Sequence, residues 1–124
     1  MQRSDRGPTV WDVVRVPFPY TDRPVRERRP ALVVAMPGSQ TQSGLLWVLM
    51  ITSAENRGWP GDVMVSDLSA AGLSAQSLVR TEKIATVEVS QADRIGVLPD
   101  GDRPTVTAWL RRHLAGVDFG RFDS

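Results

Sequence analysis

Seven apolar residues in succession, Leu45 to Ile51, limit what this chain can become. A run without alternation reads as a central strand covered on both faces. Shorter runs surround it. Asp12 to Val16 alternates polar and apolar positions and predicts a first strand stopped by Pro17, and Ala31 to Met36 predicts a second. Pro37-Gly38 with the polar Ser39 to Gly44 forms a turn or loop, and Trp59-Pro60-Gly61 forms another. Asp62 to Ser66 alternates again as a fourth strand, and Ser77–Arg80 with Glu82–Val87 forms one long strand or two linked short ones. Ile95 to Leu98 adds a brief strand. Asp67 to Gly72 looks like one helical turn closed by glycine, and Ser90 is expected to cap a short helix through Arg94. Asp102 is expected to cap the last helix, where Val106, Trp109, Leu110 and Leu114 follow helical spacing and Gly116 is the stop. The expected fold is mainly β with α+β character: a curved, mostly antiparallel sheet of five to seven short strands, α+β or barrel-like, with a C-terminal helix packed at its end.

A chain of 124 residues suits one domain, expected over 10–116, with 1–9 and 117–124 as flexible tails. Hydrophobic residues at 41% and charged residues at 23% fit a folded soluble protein. No apolar run approaches the roughly 20 residues of a membrane span. Met1 to Thr9 is polar and lacks the apolar core of a secretory signal, so a cytoplasmic address with no membrane partner is expected. The chain has no cysteine, which excludes disulfides and thiolate chemistry. His113 is its only histidine, so neither a histidine-pair mechanism nor a His-rich metal cluster is available. Beside the apolar stripe of the last helix, His113 reads as a helix-end cation or packing residue.

The net charge of +1 gives no overall field to attract nucleic acid, but the distribution is uneven. Of fifteen basic residues only Lys83 is lysine, and Arg23, Arg26, Arg28 and Arg29 fall close together. They form either a solvated loop or an anion grip. Arg28-Arg29-Pro30 leads without a break into Ala31-Leu32-Val33-Val34, so a guanidinium is held at a strand mouth, where its planar fork matches phosphate oxygens. Phe18 and Tyr20 in the preceding loop either pack it down or offer a face to a nucleobase. Thr52 and Ser53 end the buried central strand as turn caps or as ligand contacts. Arg80, Glu82 and Lys83 interrupt an otherwise apolar strand. They are half-exposed, paired or functional.

Four segments together carry a resemblance. Val13-Val14-Arg15-Val16-Pro17-Phe18-Pro19-Tyr20-Thr21-Asp22, Arg29-Pro30-Ala31-Leu32-Val33-Val34, Ile51-Thr52-Ser53 and Val79-Arg80-Thr81-Glu82-Lys83-Ile84 resemble, in that order and spacing, the PemK/MazF toxins of type II toxin-antitoxin systems. The resemblance covers about Val10 to Leu114. It implies an SH3-like β-barrel with a C-terminal helix, usually a homodimer. It also implies a metal-independent, sequence-selective endoribonuclease without cofactors, which attacks the phosphate with the ribose 2′-OH and leaves a 2′,3′-cyclic phosphate and a 5′-OH. Arg29 and Thr52 match two positions associated with catalysis, and Ser53, Arg80 and Glu82 match positions tied to RNA contact or cleavage. The chain departs in two places. Trp11 stands where the family usually has glycine, and the loop before Arg29-Pro30 lacks the histidine that some members carry.

On this reading Arg29 and Arg80 stabilise the charge that builds on a five-coordinate phosphorus. Glu82 is the candidate base, because an arginine stays protonated, and it equally serves to orient Arg80. Thr52 bonds a phosphate oxygen or the 2′-OH. Without the family the Arg80 and Glu82 pair reads as a surface ion pair worth under about 1 kcal/mol. Tyr20, Arg26, Arg28, Ser53, Trp59 and Lys83 are the expected contacts to single-stranded RNA, with Tyr20, Phe18 and Trp59 as stackers. The expected protein partner is a cognate antitoxin whose disordered acidic tail folds across the arginine-lined groove. Two other readings compete: a non-catalytic SH3-like module that binds an antitoxin peptide or nucleic acid, and a toxin relative acting on DNA.

Overall fold

A computed structural model describes residues 7–17, 27–38 and 44–117. Phe18, Tyr20, Arg23, Arg26 and most of both tails lie outside these described residues. Six strands run in chain order: β1 (Asp12–Pro17), β2 (Arg28–Ala35), β3 (Leu45–Ser53), β4 (Asp62–Met64), β5 (Ser77–Glu88) and β6 (Asp93–Val97). They form one antiparallel sheet in the order β4-β5-β3-β2-β1-β6. Among the described residues the hydrogen-bonded ladder ends at β4 and β6 without closing, and the fold is mainly β with a C-terminal helix, as expected.

The apolar run lies where its composition demands. β3 is flanked by β2 and β5, and its side chains alternate between two cores. Leu49 and Ile51 join Val13, Leu32, Val79, Leu98 and Val106 on one face, while Leu46, Val48 and Met50 join Val14, Val16, Ala31 and Val33 on the other. Burying such a side chain is worth about 1.5–3 kcal/mol. Two helices cover the first core: α1 (Leu68–Ala71) and α2 (Arg103–His113). Ala71 of α1 and Val106 of α2 are inside it, with Trp109 and Leu110 against it. Asp67 caps α1 by accepting from the Ala70 N–H at 3.1 Å, and Gly72 ends it in the left-handed conformation (φ 73°).

Two local expectations change. The short helix expected over Ser90–Arg94 is a 3₁₀ turn at Val89–Gln91, because pairing with β1 draws Asp93–Val97 into an extended strand. Asp102 occupies the N-cap position of α2 but its side chain makes no cap bond. Its carboxylate accepts from the backbone and hydroxyl of Ser66 at 2.9 and 3.1 Å and ties the helix start to the segment after β4. Trp11 has a left-handed backbone (φ 78°), at a cost of roughly 1–2 kcal/mol for an L-residue. Both of its backbone groups are bonded, N–H to Val33 and C=O to Leu98, and its ring packs against the first core.

Candidate active site

The order β5-β3-β2 brings three elements to one corner. Arg29 of β2, Met50, Ile51 and Thr52 of β3, and Arg80 and Lys83 of β5 line a cleft of about 90 Å³. A cavity of about 150 Å³ holds a benzene, so this cleft is on the scale of a phosphate group rather than a whole nucleotide. Register explains the meeting of Arg29 and Thr52. Ala31 is opposite Met50, so continuing the antiparallel count sets Arg29 opposite Thr52. On the other side β5 is irregular. Ile51 pairs with Val79 but Leu49 pairs with Ile84, so residues 80–83 bulge opposite Met50 alone. A bulge re-aims side chains. This one lets Arg80 and Lys83, three positions apart, face one cleft.

Arg80 is 7% exposed and held from several sides. Asp62, its register partner on β4, accepts from Nε at 3.1 Å and from Nη2 at 3.0 Å, and the Asn56 carbonyl accepts from Nη2 at 2.6 Å. The Trp59 ring lies 4.3 Å from the guanidinium carbon, a cation–π distance. Nη1 takes part in none of these bonds. The Asp62 carboxylate also accepts from the backbone N–H groups of Gly58 and Trp59, each at 3.1 Å. Burial alone would raise its pKa. The hydrogen bond from Arg80, those from Trp59 and Gly58, and the charge of Arg80 outweigh burial and hold the carboxyl below its ordinary value.

Asn56 serves both walls of the cleft. Its backbone carbonyl holds Arg80, and its amide donates to Thr52 Oγ1 at 2.8 Å. The Thr52 hydroxyl therefore keeps its own proton for another acceptor. Arg29 is half-buried, with Nη2 3.3 Å from Glu27, itself exposed. Lys83 is half-buried and its ammonium lies 6.0 Å from the Trp59 ring.

Other expected site residues lie apart from the cleft. Glu82 is exposed and does not line it, because the bulge breaks the two-residue alternation that would have put it on the face of Arg80. The carboxylate paired with Arg80 is Asp62. Arg28 points away from Arg29 and donates to the carbonyls of Arg15 and Gln91, both at 2.9 Å, and to Asp93 at 2.7 Å. Ser53 caps a 3₁₀ turn (Ala54–Asn56), accepting from the Glu55 N–H at 3.2 Å. Trp59 is 44% exposed and sits beneath Arg80 rather than in the lining. Tyr20 and Arg26 lie outside the described residues. Asp62 and Asn56 are the residues that sequence reasoning passed over. Their role depends on register and turn geometry, which no local pattern announces. Among the described residues no three His, Cys, Asp or Glu side chains gather as a metal-holding group, and no helix is long and apolar enough to cross a membrane.

Solved structures share this fold. MazF from Deinococcus radiodurans aligns with a TM-score of 0.70 at 21% identity, covering 90% of this chain and 99% of that one. A MazE–MazF complex from the same organism gives 0.68 at 20% identity, covering 89% and 97%. An endoribonuclease in complex with its cognate antitoxin, from a mycobacterial species, gives 0.67 at 16% identity, covering 87% and 95%. No curated protein sequence matches the chain. A family model does, over residues 9–114, which include every element from β1 to α2. The chain belongs to the PemK-like, MazF-like toxin family of type II toxin-antitoxin systems.

Proposed function

We propose that this toxin is a metal-independent endoribonuclease that cuts single-stranded RNA in the cytoplasm and is held inactive by a cognate antitoxin. The observation that carries this reading is the convergence of Arg29, Thr52, Arg80 and Lys83 on one phosphate-sized cleft. In the proposed reaction the ribose 2′-OH attacks the adjacent phosphorus, the 5′-oxygen leaves, and a 2′,3′-cyclic phosphate remains. Arg80 offers Nη1 to a non-bridging oxygen from a fixed position, and Arg29 approaches from the opposite wall. Preorganised donors of this kind act where charge develops, and removing one typically costs about 10²–10³-fold in rate. Thr52, with its oxygen already accepting from Asn56, donates to the phosphate. Asp62 is a poor base in this role, since it is committed to Arg80 and held in its charged form. Glu82, exposed and outside the cleft lining, is the proposed proton acceptor, taking the 2′-OH proton through a bridging water while the leaving 5′-oxygen takes its proton from solvent. The phosphate-sized volume of the cleft leaves the bases of the RNA outside it, where Trp59 offers a stacking surface.

A homodimer is part of the proposal. Trp47 and Ile84 are 44% and 50% exposed, and the register Trp47↔Thr86 and Leu49↔Ile84 sets them diagonally on one face. Trp47→Glu should shift the sedimentation of the protein to that of a monomer. The function is tested by incubating the purified protein with mixed RNA in EDTA. Cleavage that survives chelation and vanishes in Arg29→Ala and Arg80→Ala supports it. Tight RNA binding without cuts would favour a non-catalytic module.

A further inference from the structure

His113, at the last turn of α2, makes a contact that helix capping does not explain. Its Nε2 lies 2.9 Å from Thr81 Oγ1, and Thr81 is 3% exposed, inside the β5 bulge between Arg80 and Lys83. The Thr81 hydroxyl has one proton, and the Gly61 carbonyl 2.7 Å away can only accept it. The hydroxyl oxygen is therefore the acceptor toward the imidazole, and Nε2 carries the donated proton. Trp109, one turn earlier, fixes the ring from its face, with centroids 5.8 Å apart at 30°.

This chain of bonds ends in the cleft. Gly61 closes the Trp59–Gly61 turn at φ 84°, and a Cβ there would run into Thr81 Oγ1, with His113 Nε2 3.2 Å away. The turn is thus seated against Thr81 and His113 with no slack. The next residue is Asp62, whose carboxylate binds back to Gly58 and Trp59 and forward to Arg80. The base of the turn and the guanidinium form one unit, and its only side-chain tie to α2 is the Thr81–His113 bond among those described.

We propose that Thr81 and His113 are positioning residues, which brace the Trp59–Asp62 turn so that Arg80 presents Nη1 to the cleft. The proposal rests on the reading of that cleft as an RNA-cleaving centre. Neither residue touches substrate. Their effect is on the aim of Arg80, so it falls on the transition state more than on RNA binding, and kcat should change while KM stays near its original value.

Thr81→Val keeps the shape and removes both hydrogen bonds. His113→Phe keeps the stack on Trp109 and removes the donor. Each should lower kcat by about 10- to 100-fold with little change in KM, as expected for a misplaced catalytic group. Thr81→Ser and His113→Gln restore a hydroxyl and an N–H donor at similar reach, and should recover most of that loss. A second readout needs no cleavage: the Arg80 Nε–H signal in ¹⁵N-correlated NMR spectra, sharp in the wild type through its bond to Asp62, should broaden or shift in Thr81→Val and His113→Phe. An unchanged kcat and an unchanged Arg80 signal in folded His113→Phe would overturn the proposal, and this exposed position keeps the test available if Thr81→Val does not fold. If the wild type cuts no RNA, the functional reading fails on its own. The Arg80 signal then decides: a shift in the two variants supports the brace, and an unmoved signal refutes it.

Discussion

The two arginines of the cleft are held in opposite ways. Arg80 is buried, gripped by Asp62 on two nitrogens and by the Asn56 carbonyl, and stacked on Trp59. Arg29 sits at the mouth of β2 with its side chain 40% exposed and its Nη2 3.3 Å from the exposed Glu27. One is locked into the fold; the other stays partly open to solvent. The difference follows from position in the sheet. Arg80 is at a register position facing Asp62 on β4, whereas Arg29 is at the end of a strand beside a loop. On the proposed function such a pair would grip a phosphate from one enclosed side and one partly solvated side.

The largest expected effect separates the two by chemistry rather than by deletion. Arg80→Lys should lose cleavage nearly as fully as Arg80→Ala, about 10²-fold or more, since an ammonium cannot hold Asp62 with a fork while presenting another nitrogen. Arg29→Lys should keep a measurable share of kcat/KM. Equal losses in the two lysine variants would break the distinction. Next comes stability. Asp62→Ala leaves Arg80 buried without its counter-charge and should cost about 3–5 kcal/mol in denaturant unfolding, the range for breaking a buried pair. A loss below that for an exposed pair would mean that Trp59 and Asn56 suffice.

Acid gives a third test. The Asp62 carboxyl is held below its ordinary value in the folded state, so its contribution is complete above the unfolded value and disappears as pH falls through the folded one. Stability of the wild type should therefore decline more steeply on acidification than that of Asp62→Asn, measured by denaturation across that range. The smallest effect belongs to Arg28. It is bound to Asp93 and to two carbonyls at the β1–β6 side, away from the cleft, so Arg28→Ala should cost no more than about 1 kcal/mol and leave kcat unchanged.

Neighbouring arginines with such different fates show what a sequence carries. The alternation of Asp12–Val16, the apolar Leu45–Ile51 and the glycine after Ala71 were sufficient for β1, β3 and the end of α1, because each depends on local periodicity or on one residue's backbone freedom. Family resemblance marked Arg29, Thr52 and Arg80, and the sheet brings all three together. It could not show that residues 80–83 bulge, which turns Lys83 inward and leaves Glu82 outside the lining. Nor could it identify Asp62 as the partner of Arg80, since a cross-strand pair exists only once register is set. Asp102 was legible as a cap by type and spacing, yet Ser66 claims its carboxylate through a contact distant in sequence.

In the proposed reaction these groups act on a phosphate attacked by its own neighbouring 2′-hydroxyl. A single deoxyribose placed on the 5′ side of a mapped cut in an otherwise normal RNA tests it directly. Cleavage at that bond should stop while neighbouring sites are still cut, and products from the unmodified strand should carry cyclic phosphate ends. Cleavage through the deoxyribose at an undiminished rate would contradict it.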